Sequence, residues 1–317
     1  MILTLTPNPS LDKTLQLDRL ERGAVNRAVG GRVDAGGKGV NVSRALAAHG
    51  IASTAVLPLG GSDGSRMGAM LAAAGVSVRA VDVSAGPRTN ITVAEPDGVT
   101  TKINEPGPQL SPGEIASLVD AVLEMVTPGT WVAGCGSLPV GAPVDFYADL
   151  VGRLHERGAR VVVDSSGPAL QAVLEKRPDL IKPNLEELAE AVGRGLRTLG
   201  DVVDAADELL GRGITTVLAS LGPDGALLAT GDLRLYGSAR VEQPRSTVGA
   251  GDALLAGYLG RISQSNDPTQ ALRSALAWGA AATSLPGSRM PGPDDVAAIR
   301  VVLHEHLDVH RKLSPTT

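Results

Sequence analysis

The sequence predicts an α/β fold: a doubly wound, mostly parallel sheet flanked by helices. Three observations carry that prediction. Six short apolar runs (Ile2–Thr6, Thr54–Leu57, Trp131–Ala133, Arg160–Asp164, Leu180–Lys182 and Thr216–Ser220) have the length and composition of buried strands. Helical patterns follow most of them, over Val40–His49, Gly64–Ala74, Pro112–Val126, Val144–Arg157, Asn184–Val192 and Val202–Gly211. Such alternation builds parallel sheets. The third observation is composition: 43% of residues are hydrophobic but only 2% aromatic, so Ala, Val, Leu and Ile must fill the core.

In chain order, Met1–Thr6 lacks the basic flank and long apolar run of a signal peptide and reads as the first strand. Leu11–Val33 breaks the alternation with a strand-like Thr14–Leu17 and a polar return. Thr89–Ile103 breaks it again, with two short β runs about Pro96-Asp97-Gly98, a turn signal. After Asp252 only helices are expected: Ala253–Ile262, Pro268–Leu285 and Pro293–His306. Arg311–Thr317 is polar, contains a proline and is expected to fray. No repeat or low-complexity tract interrupts the chain, and 317 residues fit one large α/β domain or two small ones.

Composition excludes several classes of function. A net charge of −5 without a basic run, and so few aromatics, leave no platform for nucleic acid and no patch for an anionic membrane. The longest apolar stretch, Ala275–Leu285, is too short to span a bilayer. Cys135 is the single cysteine, which precludes an internal disulfide and fits a reducing, cytoplasmic setting. The histidines at 49, 155, 304, 306 and 310 are expected on helices, mostly near their ends. His304 and His306, two apart, would not share a helix face, and no structural zinc site is visible.

Four motifs carry chemistry. Ser246-Thr247-Val248-Gly249-Ala250-Gly251-Asp252 is a small-residue turn leading into an apolar helix, so the amides of Gly249, Ala250 and Gly251 form an anion pocket on the helix dipole. Asp252 beside such a pocket suits a base that takes a proton from an attacking hydroxyl. The same seven residues equally fit a plain glycine turn with a helix-start carboxylate. A dinucleotide fingerprint is a poorer match, because its third glycine would fall on Leu254. Gly36-Gly37-Lys38-Gly39-Val40-Asn41 is a second glycine turn into a helix, here holding a cation; Gly39 after Lys38 excludes a Walker A loop. It suits a sugar or phosphate ligand and also fits a solvated loop lysine. Lys182-Pro183-Asn184-x-x-Glu187 follows a strand, and Ser220-Leu221-Gly222-Pro223-Asp224-Gly225 forms a glycine-framed turn.

These four motifs, in this order, resemble the ribokinase-like sugar kinases, the PfkB carbohydrate kinases. The likeness runs from Thr6-Pro7-Asn8-Pro9-Ser10-Leu11-Asp12 to Gly287-Ser288-Arg289 and so covers essentially the whole chain. It implies a single kinase domain over 1–317, with a small β-sheet lid formed by insertions at about 11–35 and 86–106. The lid of that family closes on the sugar and often pairs with a second subunit's lid, implying a homodimer. ATP and Mg²⁺ are the implied co-substrate and metal. Some members also bind potassium near the anion pocket through backbone carbonyls, which leave no side-chain signature to read here. The chain is most similar to the family's phosphosugar branch. That branch implies fructose 1-phosphate as acceptor, with tagatose 6-phosphate or fructose 6-phosphate as alternatives; a lysine at the position of Lys38 favours the first.

Matched residue by residue, the resemblance makes Asp252 the general base and Gly249, Ala250 and Gly251 the cradle of the transferring phosphoryl group. Asp12 and Asn41 become ligands of sugar hydroxyls, although alone Asp12 reads as an Asx turn and Asn41 as a helix-start residue. Gly36, Gly37, Lys38 and Arg88 would position the sugar phosphate, with Arg27 and Ser137 as further contacts; an arginine fork binds phosphate bidentately. Lys182, Asn184, Glu187, Ser220, Gly222, Gly225 and Thr247 would face the nucleotide. Asn184 and Glu187, with Asp164, would hold magnesium through water. Asn184 and Glu187 fit a helix capping box equally well, and the two readings are compatible.

Overall fold

The strands richest in apolar residues form the middle of a ten-stranded sheet whose faces are both covered by helices. The computed structural model describes residues 1–96 and 99–314. In chain order the elements are β1 (Ile2–Leu5), β2 (Ser10–Gln16), β3 (Gly30–Gly36), α1 (Lys38–Ala48), β4 (Ser53–Leu59), α2 (Gly61–Ala73), β5 (Ser77–Asp82), β6 (Arg88–Ala94), β7 (Thr100–Asn104), α3 (Pro112–Leu123), β8 (Trp131–Cys135) and α4 (Phe146–His155). There follow β9 (Arg160–Asp164), α5 (Gly167–Leu174), β10 (Leu180–Ile181), α6 (Leu185–Val192), α7 (Leu199–Gly211), β11 (Thr216–Ser220), β12 (Ala226–Thr230), β13 (Leu233–Ala239), α8 (Ala250–Ser265), α9 (Pro268–Thr283), α10 (Pro293–Ala297) and β14 (Val301–His304).

The large sheet has the order β14-β13-β12-β11-β10-β9-β8-β1-β4-β5. Its seven strands from β11 to β5 are mutually parallel, and β12, β13 and β14 add antiparallel pairings at one edge. A second sheet of four strands, β3-β2-β6-β7, is built from two separate stretches of chain. Its connection through Asp97 and Gly98, read as a turn from the sequence, lies outside the described residues.

The C-terminal region departs from the helix-only expectation. Pro293–His306 is not one helix: α10 ends at Ala297, and Val301–His304 pairs antiparallel with β13. The run Val301-Val302-Leu303 suits either period, and pairing with the sheet edge decides it. His304 therefore sits on a strand, stacked on Tyr236 at 5.0 Å, and His306 and His310 lie beyond it, outside any helix. The described part of the tail does not fray. Val309 and Arg311 carbonyls accept from Gly200 and Leu199 at 2.9 Å, and the Ser314 amide donates to Asp224 Oδ2 at 2.7 Å. The strands β5, β12 and β13 and the short helix α5 also had no counterpart in the sequence-derived element list.

Small residues let helices pack where aromatics would otherwise fill space. α8 is buried over its whole length from Asp252 to Gly260, as expected of a helix apolar all round. It lies so close to α9 that a Cβ on Gly257 would fall 2.7 Å from the Ser274 carbonyl and 2.9 Å from Trp278 Cγ. In an exposed helix Gly→Ala stabilises by about 1 kcal/mol. Gly257→Ala should reverse that sign here, lowering Tm in a thermal melt, because the obstructing atoms are backbone and ring. A higher Tm would show that the two helices separate without cost.

Candidate active site

The parallel strands end at one edge of the sheet, and the chain order reverses at β1, with β4 on one side and β8 on the other. Open α/β sheets take ligands in the crevice above such a switch point. Asp164 at the end of β9, Lys182 just past β10, and the first turns of α1 and α8 meet there.

Asp164 is the buried centre of a charge cluster. Its Oδ1 lies 2.7 Å from Lys38 Nζ and its Oδ2 3.3 Å from Lys182 Nζ, and Lys38 also faces Glu187 Oε1 at 3.6 Å. Burial pushes the Asp164 carboxyl up, but the two ammonium groups outweigh it and hold it below its ordinary value. Burial likewise pulls Lys38 down, and Asp164 and Glu187 more than restore it, so Lys38 stays charged well above its ordinary range. The Lys38 ammonium thus faces Asp164 and Glu187, with about a third of its side chain exposed.

Asp252 is the third residue of α8, just past Gly249, the left-handed N-cap (φ 77°). Its Oδ2 accepts from Asn41 Nδ2 at 2.8 Å. Burial, and then the nearby Asp164, raise its pKa to about 6; the Asn41 hydrogen bond, Lys182 and Lys38 offset part of the rise. A carboxyl poised near neutrality is suited to exchange a proton at working pH. The N–H groups of Ala250 and Gly251 belong to the first turn, where a helix supplies no acceptor. Against the expectation of three free amides, that of Ala250 donates to Thr247 O at 3.3 Å. Lys182 covers the same turn: a Cβ on Gly251 would lie 3.3 Å from its Nζ.

Asn184 and Glu187 form a complete capping box at the start of α6, with bonds of 2.8 and 2.9 Å. Glu187 Oε2 is used in the cap, and Oε1 faces Lys38. Among the described residues no group of three His, Cys, Asp or Glu forms a metal cage. The oxygen donors of Asp164 and Glu187 fit a hard cation that keeps its waters and draws further ligands from phosphates. Ser220 adjoins this element, its amide donating to Pro183 O at 3.0 Å. Gly222 and Gly225 frame the neighbouring turn, in which Asp224 anchors the tail.

Asp12, Arg88 and Ser137 stand apart from the charge cluster. Asp12 on β2 accepts from Ser10 Oγ at 2.7 Å and Asn90 Nδ2 at 3.0 Å. Burial raises its pKa despite those bonds. Gly36 and Gly37 join β3 to α1, and Gly36 pairs with Ser10. Arg88 Nη1 donates to Glu105 O at 2.9 Å and borders an open cleft of about 350 Å³ lined by Pro87, Glu105, Pro106 and Gly107. Asn8 Nδ2 donates to Ser137 Oγ at 3.3 Å and to Pro106 O at 2.9 Å. Arg88 Nε, Asn90 Oδ1 and Asn8 Oδ1 are buried without a hydrogen-bond partner, as is Asp164 Oδ2 in the charge cluster. Arg27 lies exposed between β2 and β3 and is not brought to either group. Asn8, Arg44 and Asn90 escaped the sequence reading. Asn90 shares a strand face with Arg88 two residues away, and Arg44 a helix face with Asn41 three residues away, so both had a spacing signal.

A family profile described as pfkB family carbohydrate kinase matches residues 6–295. The chain is 39% identical over 298 residues to the 1-phosphofructokinase of Haloferax volcanii, covering 93% of this chain and 95% of the relative. To the 1-phosphofructokinase of Rhodobacter capsulatus it is 36% identical over 302 residues, covering 94% and 95%. The ATP-dependent 6-phosphofructokinase isozyme 2 of Escherichia coli is 33% identical over 305 residues, covering 95% and 98%. The crystal structure of phosphofructokinase-2 from E. coli with substrates and products matches with a TM-score of 0.90 at 33% identity, covering 93% of this chain and 97% of that one. Structures of the same enzyme with potassium and in a tetrameric inhibited form match at TM-scores of 0.89 and 0.88, with 32% and 33% identity, each covering 93% of this chain and 96% of that one. Among the described residues no helix is long and apolar enough to cross a membrane.

The capping box has a consequence independent of any ligand. Asn184→Ala should cost about 1 kcal/mol, as the loss of an N-cap does, and lower Tm in a thermal melt. An unchanged Tm would free Asn184 from the structural role.

Proposed function

The chain belongs to the pfkB family of carbohydrate kinases and is an ATP-dependent sugar-phosphate kinase, and we propose that it phosphorylates fructose 1-phosphate at its 6-hydroxyl to give fructose 1,6-bisphosphate. The observation that carries the chemistry is Asp252, a buried carboxyl tuned to about 6 at the mouth of a helix N-terminus. In this reading Asp252 accepts the proton of the attacking hydroxyl. The first-turn amides of α8 and Lys182 hold the transferring phosphoryl group, positioning it and stabilising its charge. Asp12 and Asn90 orient sugar hydroxyls, and Arg88 and Ser137 hold the phosphate already present. Lys38 stands between the two halves. Asp164 and Glu187 would hold magnesium through water, and the metal would supply positive charge against the nucleotide phosphates.

The four-stranded sheet serves as a lid over the sugar, and its outer side, where Ile103 is exposed, pairs with a second copy as a homodimer. The potassium complex of the E. coli relative supports adding a monovalent cation beside the anion pocket. Fructose 6-phosphate is the second reading, favoured by the relative named 6-phosphofructokinase isozyme 2. Tagatose 6-phosphate is the third.

If Asp252 is the base, kcat falls as pH drops through about 6, since protonation removes the acceptor. Asp252→Asn should lower kcat by roughly 10²–10⁴ with substrate affinity retained. Near wild-type turnover would reduce Asp252 to a helix-start carboxylate.

The acceptor is decided by kcat/KM for fructose 1-phosphate, fructose 6-phosphate and tagatose 6-phosphate in an ATP-coupled assay. Fructose 1-phosphate should lead. Arg88→Ala should lose about ten- to hundredfold in kcat/KM, the effect of one charge-assisted contact. A preference for either 6-phosphate would overturn the acceptor and leave the kinase standing.

A further inference from the structure

Arg44 follows Asn41 by three residues on α1, so both project from one face of the helix. Its Nη1 lies 3.1 Å from Asn41 Oδ1, 3.0 Å from the Ala35 carbonyl at the end of β3, and 3.3 Å from the Ser288 carbonyl after α9. The other end of the Asn41 amide, Nδ2, donates to Asp252 Oδ2 at 2.8 Å. A side-chain amide has one accepting and one donating end, and a guanidinium only donates. With Arg44 against one end, the reversed amide would set NH₂ against guanidinium and Oδ1 against the Asp252 carboxylate. Both contacts would repel.

We propose that Arg44 is a positioning residue for the base: it fixes which end of the Asn41 amide faces Asp252, and ties that orientation to β3 and to the loop carrying Ser288. The proposal rests on the reading of Asp252 as general base. One Nη1 has two hydrogens for three acceptors. The Asn41 bond is therefore shared with two backbone carbonyls, one of them in the four-stranded sheet, so the position of that sheet and the orientation of the base are linked through a single nitrogen. Other charges face both ends. Asp34, Asp12 and Arg32 act on Arg44, whereas Asp164, Lys182 and Lys38 act on Asp252.

The test is steady-state kinetics on Arg44→Met, Asp252→Asn and their combination. Arg44→Met should lower kcat about ten- to hundredfold, the effect of losing a hydrogen bond made by a charged group, with the KM for ATP nearly unchanged. The acid limb of its kcat profile should move to higher pH, because Asn41 no longer holds its donor toward the carboxylate. Arg44→Lys, which retains a cationic donor, should recover part of the loss. In the Asp252→Asn background, Arg44→Met should have almost no further effect, since residues acting through one group are not additive. Losses that multiply in the double variant, or a wild-type kcat in Arg44→Met, would overturn the proposal. Wild-type turnover in Asp252→Asn alone would overturn the general-base reading and this proposal with it. Should Arg44→Met fail to fold, Arg44→Gln carries the same cycle: reduced kcat alone and no added loss with Asp252→Asn.

Discussion

Asp164 sits at the bottom of the crevice with almost no exposure to water, and the two ammonium groups of Lys38 and Lys182 close on it from different elements. A buried carboxylate is tolerated only when paired, because desolvation costs several kcal/mol per ion. This pairing also organises the site. It draws the start of α1 toward the end of β9 and fixes Lys182 above α8. The remaining carboxylates set the balance. Lys38 and Lys182 oppose Asp164, Glu187 and Asp252, which leaves one negative charge in excess if all are ionised. Burial, and then the nearby Asp164, raise Asp252 to about 6, and the two lysines offset only part of that rise.

The helix that carries Asp252 is buried from Asp252 to Gly260, and its packing is set by composition. With few aromatic rings available, space between α8 and α9 is closed by bringing the backbones together at Gly257 and by alanines along α9. Close-packed interiors transmit small displacements rather than absorbing them. Rigidity in α8 therefore holds Asp252 and the first-turn amides in fixed relation to Lys182, and the small-residue helix pair keeps the charge cluster in register.

The parallel half of the fold was legible because its strands are short apolar runs separated by amphipathic helices; Arg160–Asp164 and Thr216–Ser220 have the bounds that periodicity alone suggested. The antiparallel edge was not. Leu233–Ala239 mixes Arg, Tyr and Gly with its apolar residues, and Val301–His304 fits a helical period as well as a strand. Only pairing in three dimensions separates the two. At the site, the helix-start glycines and Asp252 were readable from local sequence. The ion pairs were not, because Lys38 and Asp164 are 126 residues apart and Asn41 and Asp252 are 211 apart. No spacing rule reaches that far. Lys38 shows the consequence: its glycine neighbours suggested freedom to reach a sugar phosphate, and no local signal announced the two carboxylates beside it.

The division between the two sheets follows from the same physics. On the four-stranded sheet, the two-residue period and the register place Asp12, Asp34 and Asn90 side by side on one face. The next residues in register, Leu11 and Ala35, point the other way and pack with Leu57, Met67 and Leu71. Its polar face is thus free to vary without disturbing the core beneath it. The charge cluster has less freedom, since Asp164 and Lys182 are buried against each other and Lys38 closes on the same carboxylate. On the proposed assignment, changes in acceptor are cheapest on the small sheet and around Arg88, and most damaging at Asp164, on which two lysines close. Relatives named for different acceptors can share one phosphoryl-transfer centre for this reason: the acceptor side is built on a surface that tolerates exchange, and the transfer side on buried charges that do not.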